Sequence, residues 1–236
     1  MINLSKTAMV LAAGFGKRLG EITKNIPKPL LPVGNTCCLE ISINTLREAV
    51  FKRIIVNTHY HADQIKNYVK RFNNLEILIS YEPELLETAG GIRKVLAEFG
   101  NSPFIVLNAD MYWHDTIPSV IKKMAENMKE SDDFCLAVTP LNNAKGYPGL
   151  GDFVLENSLL QKPRDDVSNR YVYIGVQLIN PKVIAPLPIA PLSLSGLYKK
   201  ACEKNSLRGV IFNNKWVDIG SIGGLNLARK NHQPFI

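Results

Sequence analysis

The chain has 236 residues, of which 46% are hydrophobic and 21% charged. That length buries a sizeable core without disulfide or metal staples, and the composition excludes a disordered or collagen-like chain. No apolar run approaches the ~20 residues of a membrane span, and the balance of 28 Lys and Arg against 21 Asp and Glu, +7, favours an anionic partner. The basic residues are spread along the chain, which argues against a nucleic-acid arm. Cys37, Cys38, Cys135 and Cys202 form no C-x-x-C pair and read as reduced thiols rather than zinc ligands. Lys6 and the apolar residues 8–13 imitate the start of a signal peptide. The run is too short for one, and Gly16-Lys17-Arg18 follows at once. A cytoplasmic protein is expected.

Residues 7–12 form a continuous apolar run, the pattern of a parallel strand buried on both faces. Leu39, Ile43, Leu46 and Val50 recur at helical spacing. Strands are predicted at 53–57, 75–81, 104–107 and 134–139, with helices at 62–72, 91–99 and 116–128 between them. This is a β-α repeat with short links. It predicts an α/β fold with a Rossmann-like open, mostly parallel sheet and helices on both faces. The beat breaks after Pro140. Residues 142–152 read as a loop, 153–155 and 171–179 as strands, and the proline-rich 184–194 as an extended strap. A helix at 197–203, a strand at 209–212 and a helix at 223–230 close the chain. No repeat or linker appears, so residues 1–236 are expected to form one domain.

The segment Leu11-Ala12-Ala13-Gly14-Phe15-Gly16-Lys17-Arg18-Leu19 follows the first strand directly. Gly14 and Gly16 let the backbone turn tightly toward an anion, and Lys17 and Arg18 add positive charge. Leu19 stands where a dinucleotide fingerprint needs its third glycine, and Arg18 where a Walker A loop needs Ser or Thr. Alone, the segment also matches an ordinary strand-to-helix turn. Further on, Pro27-Lys28-Pro29 fixes a lysine between two prolines, each of which locks its own φ and restrains the residue before it. Lys28 is therefore expected on a stiff, extended segment that meets a phosphate at little ordering cost. Asp110 follows the strand 104–107, and Asp218 follows another short apolar strand. Ligands of open α/β sheets bind outside the carboxyl ends of the strands.

Together, Leu11-Ala12-Ala13-Gly14-x-Gly16-x-Arg18 and Pro27-Lys28-Pro29-Leu30-x-Pro32-Val33 resemble the sugar-1-phosphate nucleotidylyltransferase family. The likeness runs through most of the chain. Tyr81-Glu82 with Glu87-Thr88-Ala89-Gly90-Gly91 is similar to the family's nucleotide-contacting strand end and helix start. Asn108-Ala109-Asp110 is similar to its strand-end metal carboxylate, and Trp216-Val217-Asp218-Ile219-Gly220-Ser221 to its closing aspartate motif.

The resemblance implies Mg²⁺-dependent, in-line transfer of a nucleotidyl group from a nucleoside triphosphate to a sugar 1-phosphate, with loss of pyrophosphate. It divides the chain into a nucleotide-binding part, 1–140, and a sugar-binding part, 141–236. The implied nucleotide set is Leu11, Ala12, Ala13, Gly14, Gly16, Lys17, Arg18, Lys28, Asn57, Glu82, Ala89, Gly90 and Asn108. Arg18, Lys28 and Asp110 are the implied catalytic residues, with Lys28 bridging the sugar phosphate and the α-phosphate. Asp110 and Asp218 are the implied Mg²⁺ ligands, a pairing that suits a hard ion completed by phosphate oxygens. Lys28, Gly151, Gln161, Lys162 and Gly175 are implied on the sugar side.

Several positions depart from the family pattern. Gln161-Lys162-Pro163 stands where Glu-Lys-Pro is common, Gly20-Glu21 where a proline or its neighbour is frequent, and Ser221 where threonine is usual. No histidine stands just before Lys215-Trp216. The pattern is most similar to the short, single-domain branch, without a fused acyltransferase β-helix. That branch holds N-acetylmuramate-1-phosphate uridylyltransferases and mannose-1-phosphate guanylyltransferase-like relatives. Glu87-Thr88 and Gly151-Asp152-Phe153 lean toward the muramate enzymes and UTP. A mannose- or glucose-1-phosphate enzyme and a choline-phosphate cytidylyltransferase are the alternatives within the enzyme class. A non-catalytic nucleotide-binding regulatory module is the alternative outside it. Neither nucleic acid nor membrane is an expected partner, and the habit of such folds suggests a homodimer. His59-Tyr60-His61 reads as a loop rather than a metal site. His114-Asp115 reads as a pair behind Asp110 or, through Asp115, as a cap for the helix at Thr116.

Overall fold

The computed structural model describes residues 2–113, 116–164 and 167–231; His114 and Asp115 lie outside the described residues. The first half comprises β1 (Thr7–Leu11), β2 (Pro32–Val33), β3 (Thr36–Cys37), α1 (Cys38–Glu48), β4 (Arg53–Thr58), α2 (Ala62–Val69), β5 (Glu76–Tyr81), α3 (Glu87–Lys94), β6 (Phe104–Asn108), β7 (Met111–Trp113), α4 (Ile117–Asn127) and β8 (Phe134–Pro140). The second half adds β9 (Ala144–Lys145), β10 (Phe153–Glu156), β11 (Leu159–Gln161), β12 (Arg170–Ile179), the single turn α5 (Pro181–Ile184), α6 (Ser195–Glu203), β13 (Leu207–Ile211), β14 (Trp216–Asp218) and α7 (Ile222–Asn231).

Nine strands form one sheet in the order β10-β11-β13-β8-β12-β6-β1-β4-β5. The half that the apolar runs predict, β6-β1-β4-β5, is parallel throughout. Both faces are covered, as continuous runs require. Val10, Ile54 and Leu107 pack under α1, α2 and α4, while Met9, Ile55 and Val106 pack under α3. The other half is mixed, beginning where the regular β-α repeat of the sequence breaks. β12 lies antiparallel between β6 and β8, and β10 and β11 form a hairpin. The hairpin turns on Asn157 and Ser158, with φ of 48° and 66°. Two left-handed residues suit the right-handed twist of the flanking strands.

Three local departures bear on the site. Lys28 begins a 3-10 turn, Lys28–Leu30, instead of lying in extended chain. Only Pro27 is extended, and the fixed φ of Pro29 fits a helical turn as well as an extended one. Helix α3 starts at Glu87, four residues before the predicted Gly91. Its first turn accepts two glycines because the neighbours leave no room for side chains. A Cβ on Gly90 would stand 2.0 Å from the carbonyl oxygen of Ala190, in the proline-rich strap. Finally, β7, β14 and β9 form a small second sheet in which Asp218 pairs with Met111. That register brings the closing aspartate motif beside Asp110.

All four cysteines are buried and unbridged. Among the described residues no helix is long and apolar enough to cross a membrane.

A buried ion pair fastens β13 to the turn after α4. Arg208 donates from Nε to Asp132 Oδ2 at 2.7 Å and from Nη2 to Oδ1 at 3.2 Å. Asp132 also accepts the Lys129 N–H at 2.7 Å. Asp132→Ala leaves a buried guanidinium uncompensated, and the expected loss is about 3–5 kcal/mol. Urea unfolding followed by circular dichroism measures it; a loss under ~1 kcal/mol would mean that solvent already screens the pair.

Candidate active site

A cleft opens at the carboxyl ends of β1, β4 and β6. Its walls are Leu11, Ala12, Ala13, Gly14, Lys28, Pro29, Asn57, Leu85, Glu87, Thr88, Asn108 and Asp110. The structure thus brings together Leu11, Ala12, Ala13, Gly14, Lys28, Asn57, Asn108 and Asp110 of the sequence-predicted set. Glu87 and Thr88 come from the helix start that the resemblance gives to the nucleotide, and Leu85 and Pro29 are additional. Glu87 has φ +59°, a backbone state that L residues seldom adopt. A glycine would have advertised that turn in the sequence; a glutamate does not.

A hydrogen-bond chain sets the floor. Asn57 Oδ1 accepts the Ala12 N–H at 2.8 Å, and Asn57 Nδ2 donates to Glu82 Oε1 at 2.8 Å. Glu82 Oε2 accepts the Leu86 N–H at 2.9 Å. Glu82 is fully buried, and both its oxygens are engaged. It is therefore a positioning residue here, which corrects its expected contact with the base. Gly91 is part of the same arrangement, since a Cβ there would lie 2.8 Å from Glu82 Oε1. Ala89 and Gly90 are corrected too. Their N–H groups donate to the Leu192 carbonyl at 2.7 and 3.2 Å, so the strap, not a base, occupies them.

The phosphate loop divides into residues that face the cleft and residues that support it. Gly14 is exposed, and nothing lies within 4 Å of the place its Cβ would take, so the loop offers bare backbone there. Gly16 has φ +68°, and its absent Cβ would stand 3.1 Å from Lys28 Cβ and 2.9 Å from Thr23 Cγ2. It lets the loop lie against Lys28. Lys17 departs from expectation, because its ammonium sits over the Phe15 ring at 5.2 Å, outside the cleft walls. Arg18 reaches across to Asp218, with Nη1 3.9 Å from Oδ2. Its guanidinium fills the space that a side chain on Gly220 would need.

Lys28 is buried and donates to Asp110 Oδ2 at 2.8 Å. Asp110 Oδ1 is buried and has no partner. Asp218 Oδ1 accepts the Gly220 N–H at 2.6 Å. Burial raises the Asp218 carboxyl above its usual range, and the nearby Asp110 charge raises it further. An orphaned carboxylate oxygen beside a second, electrostatically coupled carboxylate is a donor set that fits a hard divalent cation completed by phosphate oxygens. The Asp218 backbone is gripped on both sides. Side chains at Gly146 and Gly224 would stand 2.8 and 1.9 Å from its carbonyl oxygen.

The sugar-side set separates. Lys162 lines a neighbouring cavity with Asp152, Tyr173 and Tyr198. Gln161 is not part of its lining, and its Nε2 donates to Asn205 Oδ1 at 2.8 Å. Gly151, with φ +100°, packs against Arg170. Gly175, with φ +82°, marks the bulge in β12. It lets that strand lie against Met111 and Asn108, and so supports the cleft wall. His59 and His61 approach the carbonyl oxygens of Glu82 and Lys24, at 2.8 and 2.9 Å.

The model of the family described as nucleotidyl transferase matches residues 7–233. The chain belongs to that family. It is 30% identical to the N-acetylmuramate alpha-1-phosphate uridylyltransferase of Caulobacter vibrioides, covering 93% of this chain and 94% of that one. It is 28% identical to a mannose-1-phosphate guanyltransferase of Aspergillus oryzae, covering 90% of this chain and 60% of that one. Among solved structures, HddC from Yersinia pseudotuberculosis, complexed with GMP-PN, superposes with a TM-score of 0.76 at 20% identity, over 99% of this chain and 100% of that one. The protein is thus a sugar-1-phosphate nucleotidylyltransferase by family, and an enzyme.

In this family member the raised Asp218 carboxyl has a stability signature. The ionised group is disfavoured in the fold, so it detracts from stability above its ordinary pKa and not below it. Asp218→Asn keeps the Gly220 bond and removes the charge. Its melting midpoint is expected to exceed that of the unaltered protein at pH 7, with the difference fading as pH falls through the carboxylate range. Calorimetry across pH 3–7 checks this; a midpoint lowered at pH 7 would mean that Asp218 is stabilised by its cations.

Proposed function

We propose that the enzyme transfers a nucleotidyl group from UTP to N-acetylmuramate 1-phosphate. A sugar-phosphate oxygen attacks the α-phosphorus in line, a new P–O bond forms, and the bond to the β-phosphate breaks. Its electron pair leaves with pyrophosphate. The observation that carries this reading is the Lys28–Asp110 pair, with an orphaned Asp110 oxygen, at the carboxyl edge of the parallel strands. The choice of sugar and base rests on the relative of Caulobacter vibrioides, which is 30% identical and matches this chain over nearly the whole length of both.

The residues divide the work by reach. Bare backbone at Ala13 and Gly14 lies against the triphosphate, and Asn57 holds the Ala12 amide in place. Lys28, on its short turn, neutralises charge between the sugar phosphate and the α-phosphate. Arg18, mostly exposed, follows the leaving pyrophosphate. Phosphoryl chemistry of this kind gains chiefly from positioning and charge neutralisation. Asp110 and Asp218 would hold Mg²⁺, which when bound neutralises phosphate charge. No nucleophilic side chain is needed. The buried free thiols support a cytoplasmic setting.

Pyrophosphate release with Mg²⁺, across four nucleoside triphosphates and the muramate, mannose and glucose 1-phosphates, tests the reading. Release with UTP and N-acetylmuramate 1-phosphate is expected, and another preferred pair would replace these substrates. Lys28→Ala should lower kcat at least ~100-fold with the circular-dichroism spectrum unchanged. Unaltered turnover would remove Lys28 from the mechanism. Chelation should stop release and added Mg²⁺ restore it; activity persisting in excess chelator would argue against the carboxylate metal site.

A further inference from the structure

The turn His59-Tyr60-His61, between β4 and α2, contributes no residue to the cleft walls. It meets instead the outer arm of the phosphate loop, residues 15–25, which carries Arg18 on a 3-10 segment, Lys17–Thr23. Both ends of the arm are held. At its start the Phe15 ring stands edge-on to His59, 5.1 Å between centroids at 89°, and tilted to Tyr60 at 5.6 Å. At its end the Lys24 carbonyl oxygen accepts the Tyr60 hydroxyl at 3.1 Å and lies 2.9 Å from His61 Nε2. A carbonyl only accepts, so His61 carries a proton on Nε2, and both lone pairs of that oxygen are used. The next carbonyl, of Asn25, accepts from Gln64 Nε2 on α2 at 2.7 Å. The turn is itself fixed from behind, because His59 Nδ1 donates to the Glu82 carbonyl oxygen at 2.8 Å, just past β5.

The arm is otherwise seated by Leu19, fully buried, and by Ile22, partly buried against the same core. Both come from one short segment, so they fix its depth and leave its ends to be held by others. Thr23 Oγ1 lies 3.1 Å from the Gly20 carbonyl oxygen and 3.3 Å from that of Gly16, which braces the arm so that it moves as one piece. A braced piece seated at one place pivots about it unless its ends are tied. Phe15 stands on one side of the seat in the chain, and Lys24 and Asn25 stand on the other. Arg18 depends on these ties. Its own link to Asp218 is 3.9 Å long with the side chain 60% exposed, too loose to place the guanidinium without help from the backbone.

We propose that His59, Tyr60, His61 and Gln64 form a latch that holds the outer arm of the phosphate loop, and that they are positioning residues for Arg18. The inference rests on the nucleotidyl-transfer reading, in which Arg18 follows the leaving pyrophosphate, and adds the residues that place it. Each bond of the latch is modest by itself, but all act on one braced segment. Holding that segment beforehand removes the ordering cost when the triphosphate arrives.

The test uses the double variant Tyr60→Phe/His61→Gly, which frees the Lys24 carbonyl. Residue 61 has φ 51°, which glycine accepts, so the imidazole is removed without straining the turn. Trypsin cleaves after lysine, and the bond it needs here, Lys24–Asn25, contains the latched carbonyl. Cleavage there, mapped by mass spectrometry, should quicken about tenfold in the variant, with sites elsewhere in the chain unchanged. The kcat/KM for UTP should fall about tenfold in the variant, but less than about twofold when the same changes are added to Arg18→Ala, because residues acting as one unit are not additive. Unchanged cleavage at Lys24 would overturn the latch. An equal fall in kcat/KM with and without the Arg18 side chain would overturn its action through that residue. If the unaltered enzyme turns over no sugar 1-phosphate with any nucleoside triphosphate, the nucleotidyl-transfer reading fails and the role given to Arg18 fails with it, while cleavage at Lys24 still decides the latch.

Discussion

The cleft depends on one chain of hydrogen bonds, from the Ala12 amide through Asn57 and Glu82 to the Leu86 amide. Each link fixes the next. Because Asn57 accepts from Ala12, its amide nitrogen is turned toward Glu82; because Glu82 is fully buried, its charge must be met by donors on both oxygens. The chain joins the end of β1 to the ends of β4 and β5 and to the entry of α3. Three backbone segments from separate parts of the sequence are thereby held as one rigid floor. Such a network strengthens as a whole when complete and is costly when broken. Gly91 is bound to the same constraint, since any side chain there would enter the space between Asn57 and Glu82.

From that floor, order passes to the sugar side through backbone groups. The Leu192 carbonyl takes the free amides of the first turn of α3, and Thr88 takes the amide of Leu194. A helix start normally leaves those N–H groups for water or for a ligand. Here the strap claims them, and the strap leads straight into α6. The cleft wall that carries Glu87 and Thr88 and the wall of the neighbouring cavity that carries Ser195 and Lys199 are therefore positioned by the same few bonds.

Much of this was legible in the sequence where local pattern decides structure. The apolar runs of β1, β4 and β6 require burial on both faces, and the chemistry-bearing residues Gly14, Asn57 and Asp110 stand at or just beyond their carboxyl ends. Elsewhere the deciding contacts are distant. The 3-10 turn at Lys28 is one of two shapes that Pro27 and Pro29 permit. Strands β7 and β14 have three residues each, too few to show a period, and exist because Asp218 pairs across a hundred residues with Met111. The amides of Ala89 and Gly90 were open to a base as far as their neighbours could tell; a carbonyl a hundred residues later removes them. Glu82 carries the same lesson. A charged residue at a strand end suggests a ligand contact, yet full burial with two donors makes it part of the scaffold.

The two cations beside the carboxylates differ in freedom, and that difference orders the chemistry. Lys28 is buried, donates to Asp110 at 2.8 Å, and is backed by Gly16, so it has one position. Arg18 is 60% exposed in its side chain and 3.9 Å from Asp218. At that distance, and with the guanidinium largely in water, the cation is held loosely although Asp218 is buried, so a phosphate group can draw it away. The fixed cation suits a group whose position must not change while the bond at phosphorus is made. The movable one suits a group that departs. Asp218 itself is held by its backbone, with its carbonyl closed in by Gly146 and Gly224 and one oxygen tied to Gly220. Releasing Arg18 therefore leaves the carboxylate where it stands. The cleft can exchange its mobile charge without losing the geometry that its fixed charges define.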